Sequence, residues 1–398
     1  MEQLRIREIA FTDHLELRSY IAASAHAARP LASLLEEAIF VHLILATGVI
    51  SRLRVGEITC DGTTTGWITY VVEPSTLACS VGPLTVLRKA TDRIRLYGDS
   101  ALVLGEGVLC EGAPAELTAR VLADAFQPLL RARPMVAQAV ATAGLVAKFA
   151  ELCAGTGRRA LLMGDAAPRY SIDPVMEFEQ HLASLSKSSR QTFRYSIRRL
   201  SQEMDGQMEC RAFRETGDVE AFISDATAIS RNTYQWSALG LGLKNQAAIQ
   251  RRCRSMAELG GFRSYILYCR AAPVAFIEGY KIGGVFFTYS IGYLPEWSRL
   301  SAGTVCVLEA LRDVMTADGS VRRVDFMEGA YDYKRRLSNT DVQTLTLTVL
   351  PGTVHWRVFG SVHRAADVTH RLLARLKPAA AQLRAQLRAW SFRTRASD

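Results

Sequence analysis

The sequence predicts a mixed α/β (α+β) fold in which a mostly antiparallel sheet is flanked by helices. Three apolar runs, 262–269, 274–282 and 285–293, are separated by Arg270-Ala-Ala-Pro273 and by Gly283-Gly284. Two turn signals between runs of strand length describe an antiparallel meander. A stretch of small residues, Arg299-Leu-Ser-Ala-Gly303-Thr304, then opens a helical segment that reaches to about Ala317. Another strand, 321–328, leads to Gly329-Ala-Tyr331-Asp-Tyr333-Lys334. Backbone N–H groups gathered at such a helix start favour a phosphate, so the meander delivers its last strand into an anion cradle.

The remaining elements follow in order. The first part of the chain mixes expected strands at 66–73 and 95–104 with expected helices at 115–130 and 135–153, and 161–164 reads as a further strand. Asp165–Asp173, with Pro168 inside it and Pro174 beyond it, reads as a linker. Beyond it come a helical run at 175–202, a strand at 207–213 and a helix from Asp218 to about Tyr234, with Asp218 as N-cap. Asn245 caps the next helix, which ends at Gly260-Gly261. After the meander, Asp341–Leu350 alternates as a closing strand, and a basic helix at about 360–390 fills the tail. The expected units are therefore 1–170, 171–350 and a tail, 351–398; a length of 398 residues with 49% hydrophobic content suits two domains.

The net charge of +9 is uneven. Nine basic residues face two acids after Pro351, so the tail alone carries +7 and the rest is nearly balanced. Leu372, Leu373, Leu376, Leu383, Leu387 and Trp390 set against those arginines suit docking on the protein's own body, on a partner, or on an anionic membrane surface. Eight scattered cysteines without a CxxC read as reduced thiols. Seven unclustered histidines give no metal site. The charged N-terminus lacks an apolar signal region, and the longest apolar run, the 13 residues Ala38–Ile50, is too short for a bilayer. The expectation is a cytoplasmic protein with peripheral membrane contact open to it through the tail.

The loop at 299–304 is the strongest chemical signal. A pyrophosphate needs backbone donors, a close approach and a cation; Gly303, the hydroxyls of Ser301 and Thr304, and Arg299 supply them. The competing reading is an ordinary helix start capped by Ser301. Arg190, Arg194 and Arg198 recur at a spacing of four and form one cationic stripe, either a solvated face or a binder of phosphate, nucleic-acid backbone or lipid headgroup. Gly98-Asp-Ser100 and Asp367-Val-Thr-His370 mimic a hydrolase signature, but the serine lies too far from the start of the chain for that arrangement.

Four stretches carry a resemblance: Phe178 to Arg190 with Phe193 to Leu200, Pro273-Val-Ala-Phe276, Tyr289-Ser-Ile-Gly-Tyr293 leading to Ser301-Ala-Gly-Thr304, and Val324-Asp-Phe-Met-Glu-Gly329 followed by Tyr333-Lys334. Together they resemble the GNAT acyltransferase superfamily, and more narrowly its CelD/BcsL-type branch, related to the FemAB peptidoglycan transferases. The resemblance covers about 174–350. One departure is Ala302, where that branch leads one to expect proline before the loop glycine. The resemblance implies a GNAT-like sheet, two tandem units of that kind, and a splayed sheet with acyl-CoA in the split. The two halves share no motif that aligns by eye.

The implied reaction is acyl transfer to an amine of a sugar, lipid precursor or peptide, from acyl-CoA or an acyl-carrier protein. Such chemistry needs an oriented thioester, a base and a proton donor to the thiolate. The candidate bases are Glu278, which interrupts an apolar strand and is either solvent-facing or a site carboxylate, and Glu328 at a strand end. Asp325 ranks behind them as a substrate contact, because residues three apart on an undistorted strand face opposite ways. Tyr289 and Tyr333 are candidate donors, and Tyr331 a substrate contact. Lys334 joins Arg299, Ser301, Ala302, Gly303 and Thr304 as cofactor-binding, and Arg190, Arg194 and Arg198 are assigned to substrate. Two rivals stand beside this reading. A FemAB-like transferase would use charged tRNA, whose backbone the basic helix and tail suit; a non-catalytic GNAT-like binding protein would take no donor at all.

Overall fold

The computed structural model describes residues 4–27, 31–60, 63–76, 95–104, 108–110, 135–140, 159–233, 236, 242–316 and 319–350, together with Ser361, Ala365 and Val368. The expected helix at 115–130 and the remainder of the tail helix lie outside the described residues. In chain order the elements are β1 (Leu4–Ala10), α1 (His14–Ala27), α2 (Ala32–Leu45), β2 (Leu53–Cys60), β3 (Thr63–Thr76), β4 (Arg95–Leu104), β5 (Val108–Cys110), β6 (Met135–Val140) and β7 (Arg159–Ile172). There follow α3 (Phe178–Ser184), α4 (Lys187–Glu203), β8 (Met208–Phe213), α5 (Val219–Arg231), α6 (Gln246–Glu258), β9 (Ser264–Cys269), β10 (Ala272–Ile282) and β11 (Val285–Tyr293). Last come α7 (Ala302–Thr316), β12 (Arg323–Glu328), α8 (Asp332–Leu337) and β13 (Thr340–Leu350).

The strands form one sheet in the order β1-β2-β3-β4-β6-β13-β7-β12-β11-β10-β9-β8, with β5 paired to β3. This order has the same plan read from either end. Four antiparallel strands, β1 to β4 on one side and β8 to β11 on the other, are each followed by a parallel neighbour, β6 and β12. The expected mixed, mostly antiparallel sheet flanked by helices is what forms. Each half is closed by a strand from the other part of the chain: β7 pairs with β12, β13 pairs with β6, and the two closing strands pair with each other.

Several boundaries differ from expectation. The linker expected at 165–173 is instead the end of β7, which runs through Ile172 and across the expected unit boundary at 170. Pro168 fits there because the β12 side of β7 is irregular, its register breaking between Asp325 and Glu328. Met135–Val140, expected to begin a helix, is a strand because it is held between β4 and β13; short apolar runs do not distinguish the two by periodicity. The rest of that expected helix lies outside the described residues. The helical run expected at 175–202 is two helices, since Ser186 accepts the N–H of Ser189 at 3.2 Å and starts α4 afresh. Asp218 precedes α5, but its carboxylate turns back to the N–H groups of Arg214 and Glu215. Asn245 caps α6 through the N–H of Ala248 at 3.2 Å.

The meander is built by its turns. Gly283 and Gly284 both have positive φ, 55° and 85°, the geometry of a two-residue hairpin turn whose twist matches its strands. Alternation then sorts the side chains of β10: Phe276 and Tyr280 face α2, α5 and α6, while Ala275 and Ile277 face α4 and α7. The first core joins both halves, because Leu35, Ile39 and Leu43 of α2 pack with Phe222, Ile249, Phe276 and Tyr280. Polar contacts at its edge hold α2 in place. Ser33 Oγ donates to Gly283 O at 3.0 Å, and Arg323 pairs with Glu37. No described helix is long and apolar enough to cross a membrane.

His42 sits inside this core, wholly buried on α2, with Nδ1 2.6 Å from Ala38 O and 3.0 Å from Thr69 Oγ1. Burial lowers its pKa from 6.5 to about 4, against the opposing hydrogen bond to Ala38. The unfolded chain therefore takes up a proton below 6.5 that the folded chain refuses until about 4, so the stability conferred by neutral His42 is lost as pH falls through that window. Urea unfolding of wild type and His42→Gln checks this. The variant should lose about 2 kcal/mol less than wild type between about pH 7 and about pH 5.

Candidate active site

The site begins where two strands part. β11 and β12 pair in parallel only at Val285–Arg323, Phe286–Val324 and Phe287–Asp325, yet β11 continues to Tyr293 and β12 to Glu328. Both strands are distorted at the point of parting. On β11, Thr288 lies opposite Gly279 and Ser290 opposite Glu278, which leaves Tyr289 as the extra residue of a bulge. On β12, Met327 has φ 57°, and the Asp325 carboxylate accepts its N–H at 2.8 Å. Arg169 of β7 grips the same carboxylate, with Nη2 2.7 Å from Oδ2.

The parting opens a cavity of about 700 Å³. Its β11 wall is Thr288, Tyr289, Ser290, Ile291, Gly292 and Tyr293; α7 contributes Gly303, Thr304 and Val307. Met327, Tyr331, Tyr333 and Lys334 line it as well, with Thr233 and Gly242. The expected split in the sheet is thus present, and helix α7 points its N-terminus into it. Of the expected cofactor loop, Gly303 and Thr304 line the cavity. Ala302 is buried in the core, Arg299 is exposed, and Ser301 (φ 57°) is the left-handed hinge between a 3-10 turn, Pro295–Leu300, and α7. Gly303 is required by contact: a Cβ there would stand 2.6 Å from the Tyr293 ring.

The tyrosines divide by environment. Burial pushes the Tyr289 hydroxyl above the ordinary phenol range, with Arg252 opposing and Glu278 adding to the shift. Burial, reinforced by Tyr331, does the same for Tyr333. Both are therefore protonated phenols at neutral pH and able to donate. Tyr331 is exposed, with its ring 6.2 Å from that of Tyr333. Lys334 is buried, its Nζ 3.5 Å from Met327 O and 5.3 Å from the centre of the Tyr331 ring.

The carboxylates are placed differently from expectation. Glu278 is neither solvent-facing nor part of the cavity wall; it is fully buried and paired with Arg252, Nη2 to Oε1 2.6 Å. Asp325 is likewise buried and occupied by Arg169 and the Met327 N–H rather than lining the cavity. The undistorted strand assumed for Asp325 and Glu328 does not exist, because the chain reverses its hand at Met327. The Glu328 backbone pairs with Arg169, and its side chain lies outside the described positions. Arg190, Arg194 and Arg198 share a shallow depression on α4 with Tyr195 that has no lining residue in common with the cavity. There Arg190 donates to Ala183 O at 2.8 Å and Arg194 pairs with Glu179 at 2.7 Å.

Sequence reasoning missed Arg252, Thr288, Ser290 and Thr233. Arg252 carries no local signal, since an arginine on an amphipathic helix reads as solvated. Tyr293 was within reach, as the end of the Tyr289-Ser-Ile-Gly-Tyr293 stretch. Among the described residues no group of His, Cys, Asp and Glu is placed to hold a metal. Cys210, Cys253, Cys269 and Cys306 are free thiols.

Residues 187–335 match the family model described as an acetyltransferase (GNAT) domain. The match spans less than half of the chain. Its span starts with α4 and ends inside α8, so it encloses the meander, the split and α7. No curated protein matches the chain. In fold the chain is similar to FemX, at 8% identity and a TM-score of 0.55, over 90% of this chain and 100% of that one. It is also similar to a conserved protein of unknown function from Bacteroides thetaiotaomicron VPI-5482, at 12% identity and 0.51, over 86% and 99%. A tandem GNAT protein from the clavulanic acid biosynthesis pathway matches at 13% identity and 0.49, over 88% and 99%. At these identities the likeness is one of fold.

The Asp325 clamp at the split is testable. Asp325→Ala leaves the Arg169 guanidinium without this partner and the Met327 N–H without its acceptor, at a cost on the order of 3 kcal/mol. Asp325→Asn keeps an acceptor for Met327. Thermal unfolding should rank wild type above Asn above Ala; equal midpoints for Asn and Ala would show that the Met327 contact contributes nothing.

Proposed function

We propose that this protein is an N-acyltransferase that moves an acyl group from a thioester donor, acyl-CoA or an acyl-carrier protein, to an amine of a sugar, lipid precursor or peptide. The parting of β11 from β12 against the N-terminus of α7 is the observation that carries this reading. An extended chain with a phosphate at one end fits such a slot. The N–H groups of α7 suit the anion, Ile291 and Val307 suit an apolar stem, and the exposed edge of β11 beyond Phe287 offers main-chain polar groups to a carbonyl. The donor supplies an activated carbonyl whose C–S bond breaks as the amine nitrogen bonds to carbon.

This chain's residues would then orient and move protons. Tyr289 and Tyr333, both held protonated, are suited to give a proton to the departing sulfur. Glu328, one residue before Gly329 at the cavity end of β12, is our candidate for taking the proton from the amine. Lys334 is assigned to an anionic group of donor or acceptor. The Arg190–Arg194–Arg198 stripe, separate from the cavity, suits a donor or acceptor too large for the split, which favours a carrier protein or a polymer end. Within the GNAT superfamily the four sequence stretches favour the CelD/BcsL-type branch.

Calorimetric titration with acyl-CoAs of increasing chain length tests the reading. Saturable binding is expected in wild type and lost in Gly303→Trp, whose side chain must displace Tyr293. Tyr289→Phe should keep donor binding and lower turnover about a hundredfold. No binding of any acyl-CoA, together with no transfer from acyl-carrier protein, would overturn the thioester reading in favour of charged tRNA or a non-catalytic role.

A further inference from the structure

Beneath Tyr289 lies a buried charged cluster that the proposed reaction does not use directly. Arg252 of α6 and Glu278 of β10 are both buried. Three donors converge on one carboxylate oxygen, Oε1: Arg252 Nη2 at 2.6 Å, Arg252 Nε at 2.8 Å, and the hydroxyl of Tyr280. The other oxygen, Oε2, is buried without a hydrogen-bond partner. The guanidinium also lies over the Tyr289 ring, 4.6 Å from the centroid, and the Tyr280 ring meets Tyr289 edge-on at 6.0 Å.

Stability does not explain this cluster. The surrounding core is apolar, with Phe276, Ile249, Met256 and Ile282 in it. A buried ion pair in such a place does no better than well-packed apolar residues of similar size, and an orphaned carboxylate oxygen adds a cost. Location does explain it. Glu278 stands opposite Ser290, and Gly279 opposite Thr288, so the carboxylate sits directly across from the bulge. The bulged residue, Tyr289, falls outside the backbone register with β10, so neighbouring side chains rather than a paired backbone position fix its ring. The guanidinium, itself paired with Glu278, supplies that constraint to a ring that also lines the cavity.

We infer that Arg252 and Glu278 are positioning residues for Tyr289: Glu278 holds the guanidinium, and the guanidinium holds the tyrosine ring at the cavity wall in the orientation acyl transfer needs. This rests on the acyltransferase reading for its chemical purpose, but not for its geometry. It also reassigns Glu278 from base to support.

The test places 3-fluorotyrosine at position 289 alone in the full chain and records its fluorine NMR signal without any donor or acceptor. Wild type should give one narrow resonance. Arg252→Met combined with Glu278→Leu replaces the pair by apolar groups, so the fold should persist while the resonance broadens or splits. Glu278→Gln, which keeps the shape and loses the charge, is the second variant and should show the same change more weakly, even if the double variant fails to fold. An unchanged resonance in a folded variant overturns the inference, whatever the activity does.

Where transfer is measurable, the double variant should lower kcat about a hundredfold with donor KM held within about twofold. Adding Tyr289→Phe should then cost little more, because both changes remove the same oriented hydroxyl. A normal resonance in Glu278→Gln, with loss of the acidic limb of the pH–rate profile, would make Glu278 a base and overturn the positioning role. Altered resonances in a protein that transfers nothing would instead retain the positioning role and sink the acyltransferase reading.

Discussion

The Asp325 carboxylate accepts the N–H of Met327, two residues along its own strand, while Arg169 clamps it from β7. A side chain used in this way turns β12 aside at the point where it would otherwise continue pairing with β11. The β11 bulge at Tyr289 turns the other strand from its own direction. Neither distortion alone would make a slot, since a single bent strand can be followed by its neighbour. Together they leave the sheet open at its centre, where a continuous ladder would bury every main-chain group. The tyrosines, the start of α7 and Lys334 are arranged around that opening.

A sheet opened at its centre needs stiff surroundings. On one face α3, α4 and α7 pack against Ala275, Ile277 and Phe286; on the other, α5, α6 and α2 cover Phe276 and Tyr280. Helix α2 belongs to the first half of the chain, yet it lies against the turn of a hairpin of the second half through Ser33 and Gly283. The first half therefore braces the walls of the slot whether or not it binds anything itself. Close packing carries that bracing inward, because an interior at crystal-like density transmits displacement with little loss.

The sequence was most informative where local chemistry decides structure. The glycine pair 283–284, the strand 285–293 and the Asn245 cap are each set by residues adjacent in the chain, and each stands where it was expected. Expectation failed where distant partners decide. Met135–Val140 becomes a strand only because β13 arrives beside it, and 165–172 stays extended only because β12 and β13 hold it. The site followed the same division. Gly303, Thr304, Tyr289 and Tyr333 were found from their motifs and meet at one cavity. The environment of Glu278 was hidden, because the arginine beside it comes from a helix whose face toward the sheet cannot be read without the fold.

The exchange of closing strands also bears on how the protein comes into being. Val140, in the first half, meets Thr344, near the end of the second. During synthesis this edge of β6 has no β13 to pair with until β12 and α8 have also been made. An exposed strand edge is an invitation to pair with the wrong partner. β7, the segment nearest at hand, is made in time, but its other edge is reserved for β12. The two halves of the sheet are thus completed together, by one shared pair of closing strands, and neither half alone covers its inner edge.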